Sequence, residues 1–281
     1  MTPQARKRNA PYLLLAPAGV LFLAIAVSAL MMVRLSFGEK TLEWESWTLA
    51  NYRALSEGVF VTGFIRTLRL AVIATALVLL LSLPVSLLYA RVTSRMVKRL
   101  ILFIILLPLF INQLLQSYGW ISLLGPTGIV NNLLVGSGIV ARPLRLLYTE
   151  TGVIIAMVQL ALPLAVLPIS SALRNIPASY EEAAAILGAP RLRVLWEIVV
   201  PLARPGLWAA FLLVSSFNIS AFVLPLLLGG GRVTTVPMLI REQMGPLLNW
   251  PQGAALAVVL VLLTLLVQRI AGLQRRGGTR T

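Results

Sequence analysis

Six apolar runs dominate this 281-residue chain, near 12–34, 63–90, 100–124, 151–173, 205–228 and 253–271. Each is close to the roughly 20 residues that an α-helix needs to cross a bilayer, and none holds an Asp or Glu. A water-facing fold has no place for so much unbroken apolar sequence. Composition agrees: 58% of residues are hydrophobic and 12% charged, against about 45–50% and about 25% in soluble domains. The runs predict an all-α polytopic membrane protein, a single transmembrane domain over 1–281 with six transmembrane helices. The first run, Tyr12–Val33, follows Arg6, Lys7 and Arg8. It is longer than a signal-peptide core and lacks a small-x-small cleavage site, so a retained helix is expected.

Lys and Arg collect on the cytoplasmic side of membrane proteins. The N-terminus, the loop near 91–99, the loop 174–204 and the tail from Arg269 carry 15 of the 24 basic residues, with three acids (Glu181, Glu182, Glu197). The other side carries nine basic residues and six acids. Both termini are therefore expected in the cytoplasm, with the chain multi-pass in the bacterial inner membrane. The net charge of +15 is spread between spans rather than along one soluble face, which argues against nucleic acid as a partner.

The chain has no Cys, His or Asp. That removes disulfides, thiolate and imidazole metal sites and the Ser-His-Asp and Cys-His nucleophile systems. No G-x-x-x-x-G-K-[ST] loop occurs, so ATP is not bound here in that manner. No catalytic, cofactor or metal residues are assigned.

Pro84, Pro108, Pro163, Pro168 and Pro225 fall inside or near the ends of spans, where each removes a backbone donor. Proline is common in membrane helices and shapes packing. Pro163 and Pro168, five residues apart in one run, point instead to a helix bent around a path. Trp44, Trp47 and Tyr52 in 36–62 suggest an interfacial helix. The Gly- and Asn-rich stretch 125–150 suggests turns and a short helix.

The segment 177–205 reads PASYEEAAAILGAPRLRVLWEIVVPLARP. Ser179 and Glu182 fit a capping box, the alanines favour helix, and Gly188 suits a left-handed C-terminal residue. Pro190 suits the start of a second helix. Leu192, Leu195, Trp196 and Val199 follow at spacings of three and four before Pro201, which is expected to stop it. Two short helices joined at a glycine corner form a docking surface rather than a mere connection.

Glu182-Ala183-Ala184, three residues, Gly188, nine residues, then Ile198-x-x-Pro201 resembles the "EAA" motif of ABC importer permeases. Val200 stands where that motif usually has Leu. Thr48–Arg53 and Arg66-Thr67-Leu68 look like the family's entry into its permease core, with Arg66 for a frequent Asn. Leu107-Pro108 through Tyr118-Gly119-Trp120, and Leu226–Gly231, look most like the membrane subunits of spermidine/putrescine-type importers. The resemblance implies the type I importer permease fold, with 174–204 as a cytoplasmic coupling-helix loop. It implies as partners two ATPase subunits, which bind ATP and Mg, a second homologous permease or a second copy of this chain, and a periplasmic solute-binding protein. Glu182, Ala183, Ala184, Gly188, Ile198 and Pro201 then become the ATPase-coupling residues, with Ala183 and Ala184 allowing close approach. As local geometry, Glu182 and Gly188 are also simple caps.

Polar groups inside spans are candidate path residues. Asn112, Gln113, Gln116 and Ser117 lie in the third run, Gln159 in the fourth, and Ser215, Ser216, Asn218 and Ser220 in the fifth. Gln113, Gln116, Ser117 and Trp120 share a helical face. Gln113, Gln116, Ser117, Trp120, Gln159, Phe217 and Asn218 are the candidate substrate path, with interhelical hydrogen bonding the competing explanation. Tyr118, Trp120 and Phe217 offer rings for stacking. Where spermidine/putrescine-type permeases commonly show an acid, this chain reads Phe217-Asn218-Ile219-Ser220-Ala221-Phe222. The expected cargo is therefore a small organic solute, polyamine-like, amino acid or related. The competing class is an ATP-independent secondary transporter or channel, which would favour charged residues in spans and internal repeats.

Overall fold

The computed structural model describes residues 3–40 and 46–277, with side chains over 17–40 and 46–272. These residues form helices and loops, with no strand among them. The first seven helices are α1 (Pro3–Ser36), α2 (Ala50–Ala54), α3 (Gly58–Arg91), α4 (Arg95–Phe110), α5 (Gln113–Leu124), α6 (Ile129–Gly136) and α7 (Glu150–Arg174). Then come α8 (Ser179–Ile186), α9 (Arg191–Val194), a π-helical turn (Leu195–Val199), α10 (Val200–Leu202) and α11 (Arg204–Ile219). The last are α12 (Val223–Leu228), α13 (Val236–Met244) and α14 (Trp250–Gly277). Two compact units emerge, 1–60 with 239–262 and 61–238 with 263–281.

Four helices are each long and apolar enough to cross a membrane: Pro17–Ser36, Gly58–Arg91, Glu150–Arg174 and Trp250–Gly272. Two bent pairs reach that length only when their halves are joined, Arg95–Phe110 with Gln113–Gly136 (103°) and Arg191–Leu202 with Arg204–Ile219 (68°). The continuous third run expected at 100–124 is therefore corrected. Pro108 already denies one amide to α4, and the chain turns extended at Ile111 and Asn112. Asn112 Oδ1 accepts from Leu114 N–H (2.8 Å) and caps α5, while Gln116 Nε2 reaches back to the Pro108 carbonyl (2.5 Å). The fifth run breaks likewise, between α11 and α12, where Ser220 Oγ donates to the Ser216 and Phe217 carbonyls.

In the first unit, none of the most apolar stretch of α1 is buried. Ser36 Oγ and the Tyr52 hydroxyl share a hydrogen bond (2.6 Å), and Asn51 Nδ2 donates to the Ser36 and Gly38 carbonyls. The Arg34 guanidinium lies over the Trp47 ring at 4.1 Å. Among the described residues of 36–62, the expected interfacial helix is the five-residue α2, and α3 begins at Gly58. Trp44 and the side chains of Arg6, Lys7 and Arg8 lie outside the described residues. The short helix expected in 125–150 is α6.

The second unit is organised around α7, whose best span window is 61% buried. Its crossing with α11 is tight because Gly206 has no side chain. A Cβ there would meet Ala172 Cβ at 2.6 Å and the Pro168 carbonyl at 2.7 Å. Small residues let membrane helices approach this closely. Helix α7 runs unbroken through Pro163 and Pro168, and Pro168 helps to form this crossing. Helix α3, 34 residues long, turns one stripe inward: Thr67, Leu70, Ala74, Thr75, Val78, Ser82, Ser86 and Tyr89 are buried, at the three-four spacing of one helix face. Its hydroxyls tie neighbouring elements, Thr67 Oγ1 accepting from Val236 N–H (2.9 Å) and Ser86 Oγ donating to the Val166 carbonyl (3.3 Å).

Gly206→Ala forces backbone to move, and overpacking of this kind costs about 1–3 kcal/mol. For a chain of this size that lowers the thermal midpoint by roughly 2–10 °C, measured by fluorescence in detergent. Gly119→Ala, with nothing within 4 Å of its added Cβ, leaves the midpoint unchanged or slightly higher.

Candidate functional site: a helical loop and a polar face

The loop after α7 is built as two short helical pieces around one corner. Helix α8 ends in a left-handed glycine: Gly188 has φ +78, its N–H donates to the Ala185 carbonyl, and Ala189 N–H donates to Ala184 (both 3.0 Å). This paired closure is the Schellman arrangement. Nothing lies within 4 Å of a Cβ at Gly188, so the glycine is required by backbone angle alone.

The start of α8 differs from expectation. Ala178 is already helical and no side chain caps the helix; Tyr180 N–H reaches Pro177, and the Glu181 and Glu182 amides reach Ala178. Ser179 therefore lies within the first turn, too late to act as the cap of a capping box. Nor does Pro201 stop the second piece. The turn Leu195–Val199 widens to a π-helix, Val200 N–H reaches the Leu195 carbonyl, and Pro201, which has no N–H, is carried on to Leu202. The break comes at Ala203.

The motif residues divide between inside and outside. Glu182, Ala183 and Gly188 are exposed, Ala184 and Val199 are buried, and Ile198 packs on the core. Pro201 is half-buried. Of the two alanines, Ala184 is small to fit its own chain, and only Ala183 faces outward. The spacing of Leu192, Leu195, Trp196 and Val199 suggests one apolar face. Instead Val194 and Val199 turn inward, while Leu192 and Trp196 are exposed together with Tyr180, Ile186 and Leu187. Ile186 and Leu187, each 86% exposed, flank the glycine corner.

Glu181 was not singled out by sequence, because the motif draws attention to its neighbour. It accepts from Arg91 Nη2 at 2.6 and 2.7 Å, tying α8 to the end of α3. Glu182 has no ion-pair partner among the described residues.

The polar face of α5 is as expected: Ser117 is buried, and Gln113, Gln116 and Trp120 are half-buried. Trp120 Nε1 donates to Gln159 Oε1 on α7 (3.3 Å), so two candidate residues meet. Ser117 Oγ is turned to the Gln113 carbonyl (2.8 Å). Gln116 spends its amide on the corner at Pro108. Asn218 Nδ2 donates to Thr75 Oγ1 on α3 (3.1 Å), a partner that sequence did not suggest. Phe217 packs on the core. Gln116 Oε1 and Asn218 Oδ1 are buried acceptors that receive no hydrogen bond among the described residues.

Residues 84–277 match the model of the binding-protein-dependent transport system inner membrane component. The chain belongs to that family. Within it, the chain is 34% identical over 221 residues to the spermidine/putrescine transport system permease protein PotB of Haemophilus influenzae, covering 78% of this chain and 77% of the relative. PotB of Escherichia coli is 30% identical, with 87% and 90% covered. A putative 2-aminoethylphosphonate transport system permease protein, PhnU of Salmonella choleraesuis, is 33% identical over 66% of this chain and 64% of its own length. The fold matches a bacterial ABC transporter that imports the acidic polysaccharide alginate, with TM-score 0.80, 18% identity and 99% of each chain covered. The same architecture recurs more distantly in an amino acid ABC transporter (TM-score 0.52, 16% identity, 81% of this chain and 96% of that one). The family match confirms the importer-permease resemblance carried by the 177–205 motif.

An exposed ion pair contributes about 0–1 kcal/mol, so Glu181→Gln leaves the global midpoint nearly unchanged. It frees the loop locally, and trypsin cleavage at Arg174, Arg191 and Arg193 accelerates roughly two- to fivefold. The swapped pair Arg91→Glu with Glu181→Arg restores the original rate.

Proposed function

We propose that this chain is a non-catalytic permease subunit of an ABC importer, with six membrane crossings, both termini cytoplasmic, and 174–204 as the loop that receives the ATPase. The bent pair Arg95–Phe110 with Gln113–Gly136 then counts as the third crossing, and α11 with α12 as the fifth. The observation that carries the reading is the pattern Glu182-Ala183-Ala184-x3-Gly188-x9-Ile198-x-x-Pro201, folded as a glycine corner flanked by exposed Ile186 and Leu187. In this reading ATP and Mg belong to two partner ATPase subunits. A second permease, homologous or identical, completes the path, and a periplasmic binding protein delivers the solute.

The coupling roles follow from the two faces of the loop. Ala184, Ile198 and Val199 anchor it to the permease core, while Glu182, Ala183 and Gly188 meet the ATPase. Rigid transmission needs both, since a loop that slid on its own core would move without moving the path.

For cargo, the unsatisfied oxygens of Asn218 and Gln116 favour a donor. A primary ammonium is such a donor, and it is the group that spermidine, putrescine and 2-aminoethylphosphonate share. Trp120 and Phe217 add ring faces that attract a cation. We therefore assign a small organic solute bearing a primary amine, recognised by neutral acceptors and rings because the spans hold no acid.

The test is co-reconstitution of the permeases, ATPase and binding protein in liposomes, with solute uptake and ATP hydrolysis measured together. Gly188→Val, strained at φ +78, and Glu182→Lys lower binding-protein-stimulated hydrolysis at least tenfold while insertion is unchanged. Gly188→Asn, whose residue type tolerates the left-handed region, keeps most of it. Undiminished uptake without any ATPase subunit would overturn the reading.

A further inference from the structure

We infer that the second unit carries a binding site for the phosphate of an anionic phospholipid, built around Tyr89 where α3, α4 and α7 end or begin. Lys98 Nζ lies 5.3 Å from the centroid of the Tyr89 ring and Arg174 Cζ lies 5.8 Å from it. The two cations are therefore no farther apart than those distances together. Neither has a carboxylate partner among the described residues. Tyr89 is 8% exposed, and its hydroxyl makes no hydrogen bond to any described residue.

Two cations gathered on one ring, neither paired to a carboxylate among the described residues, leave this corner with net positive charge. Helix α4 adds to the imbalance. Arg95, Lys98 and Arg99 stand in its first turns with no acid in the first turn, although the N-terminus of a helix is already its positive end. The nearby acid is Glu181, and Arg91 occupies it. A ligand with one or more negatively charged oxygens would answer Lys98, Arg174 and the Tyr89 hydroxyl at once.

The adjoining cavity favours a lipid as the source of that phosphate. It holds about 340 Å³ and is lined by Leu87, Leu173, Ile176 and Val199, by Arg174, and by the ion-paired Arg91 and Glu181. Apolar side chains beside Arg174 suit a lipid, which brings a phosphate and an acyl chain together, whereas free phosphate uses only the cations. The site lies at the ends of two candidate spans, Gly58–Arg91 and Glu150–Arg174, the level at which headgroups sit. Basic pockets of this kind between membrane helices hold anionic lipid headgroups. Phosphate headgroups occur in both leaflets, so the inference stands apart from the sidedness and the coupling role proposed above.

Native mass spectrometry of the full chain released from nanodiscs tests it. With equal phosphatidylglycerol and phosphatidylcholine, the chain is expected to retain the anionic lipid at least fivefold over the neutral one. Lys98→Gln with Arg174→Gln abolishes that preference, and Tyr89→Phe reduces it. Equal retention of both lipids, or an unchanged preference in the double variant, overturns the site. So does loss of the bound lipid on adding millimolar inorganic phosphate, which would make it a free-anion site. Should the double variant not fold, a photoactivatable phosphatidylglycerol on the unaltered chain decides. Crosslinks within 84–99 and 173–181 support the inference, and crosslinks confined elsewhere refute it.

Discussion

A chain in lipid must answer its own backbone amides and carbonyls, because hydrocarbon offers no hydrogen bonds. In this protein that constraint governs where helices break. Two of the interruptions among the described residues coincide with a polar side chain that meets groups set free. Asn112 and Gln116 serve the corner between α4 and α5, and Ser220 serves the end of α11. The polar residues of the third run are thus partly structural.

The same economy explains why α7 and α11 form the centre of the second unit. Gly206 brings α11 against the backbone of α7 at Pro168, and the crossing buries Ala210 and Val214 on one side and Ala161 and Ala165 on the other. Helix α3 completes the packing with hydroxyls rather than bulk, as Thr75 meets Asn218 and Ser86 meets Val166. Asn218 is held by Thr75, and its Oδ1 receives no hydrogen bond among the described residues.

Much of this was legible in the sequence where the cause is local. Gly188 closes α8 because a left-handed turn needs glycine, and Pro190 precedes α9 because a proline fits there. The apolar runs located the helices for the same reason. What escaped was set by partners distant in sequence. The 103° corner depends on Gln116 reaching Pro108, and Ser179 lost its capping role because Ala178 had already turned helical. Leu192 and Trp196 share the spacing of Leu195 and Val199, yet they face out, because the π-turn shifts the register of the face. Glu181 drew no notice since only the fold brings Arg91 to it.

In the proposed reading, the glycine corner of 174–204 is where this permease meets an ATPase. The chain contains no cysteine, so single cysteines report without background. Ile186→Cys and Leu187→Cys, placed at the most exposed points of the corner, are predicted to crosslink to the co-expressed ATPase subunit, with an extent that changes when ATP is bound. Val199→Cys, buried at 1% exposure, is predicted not to crosslink. Absence of any crosslink from 186 and 187 in a complex that still transports would contradict the account.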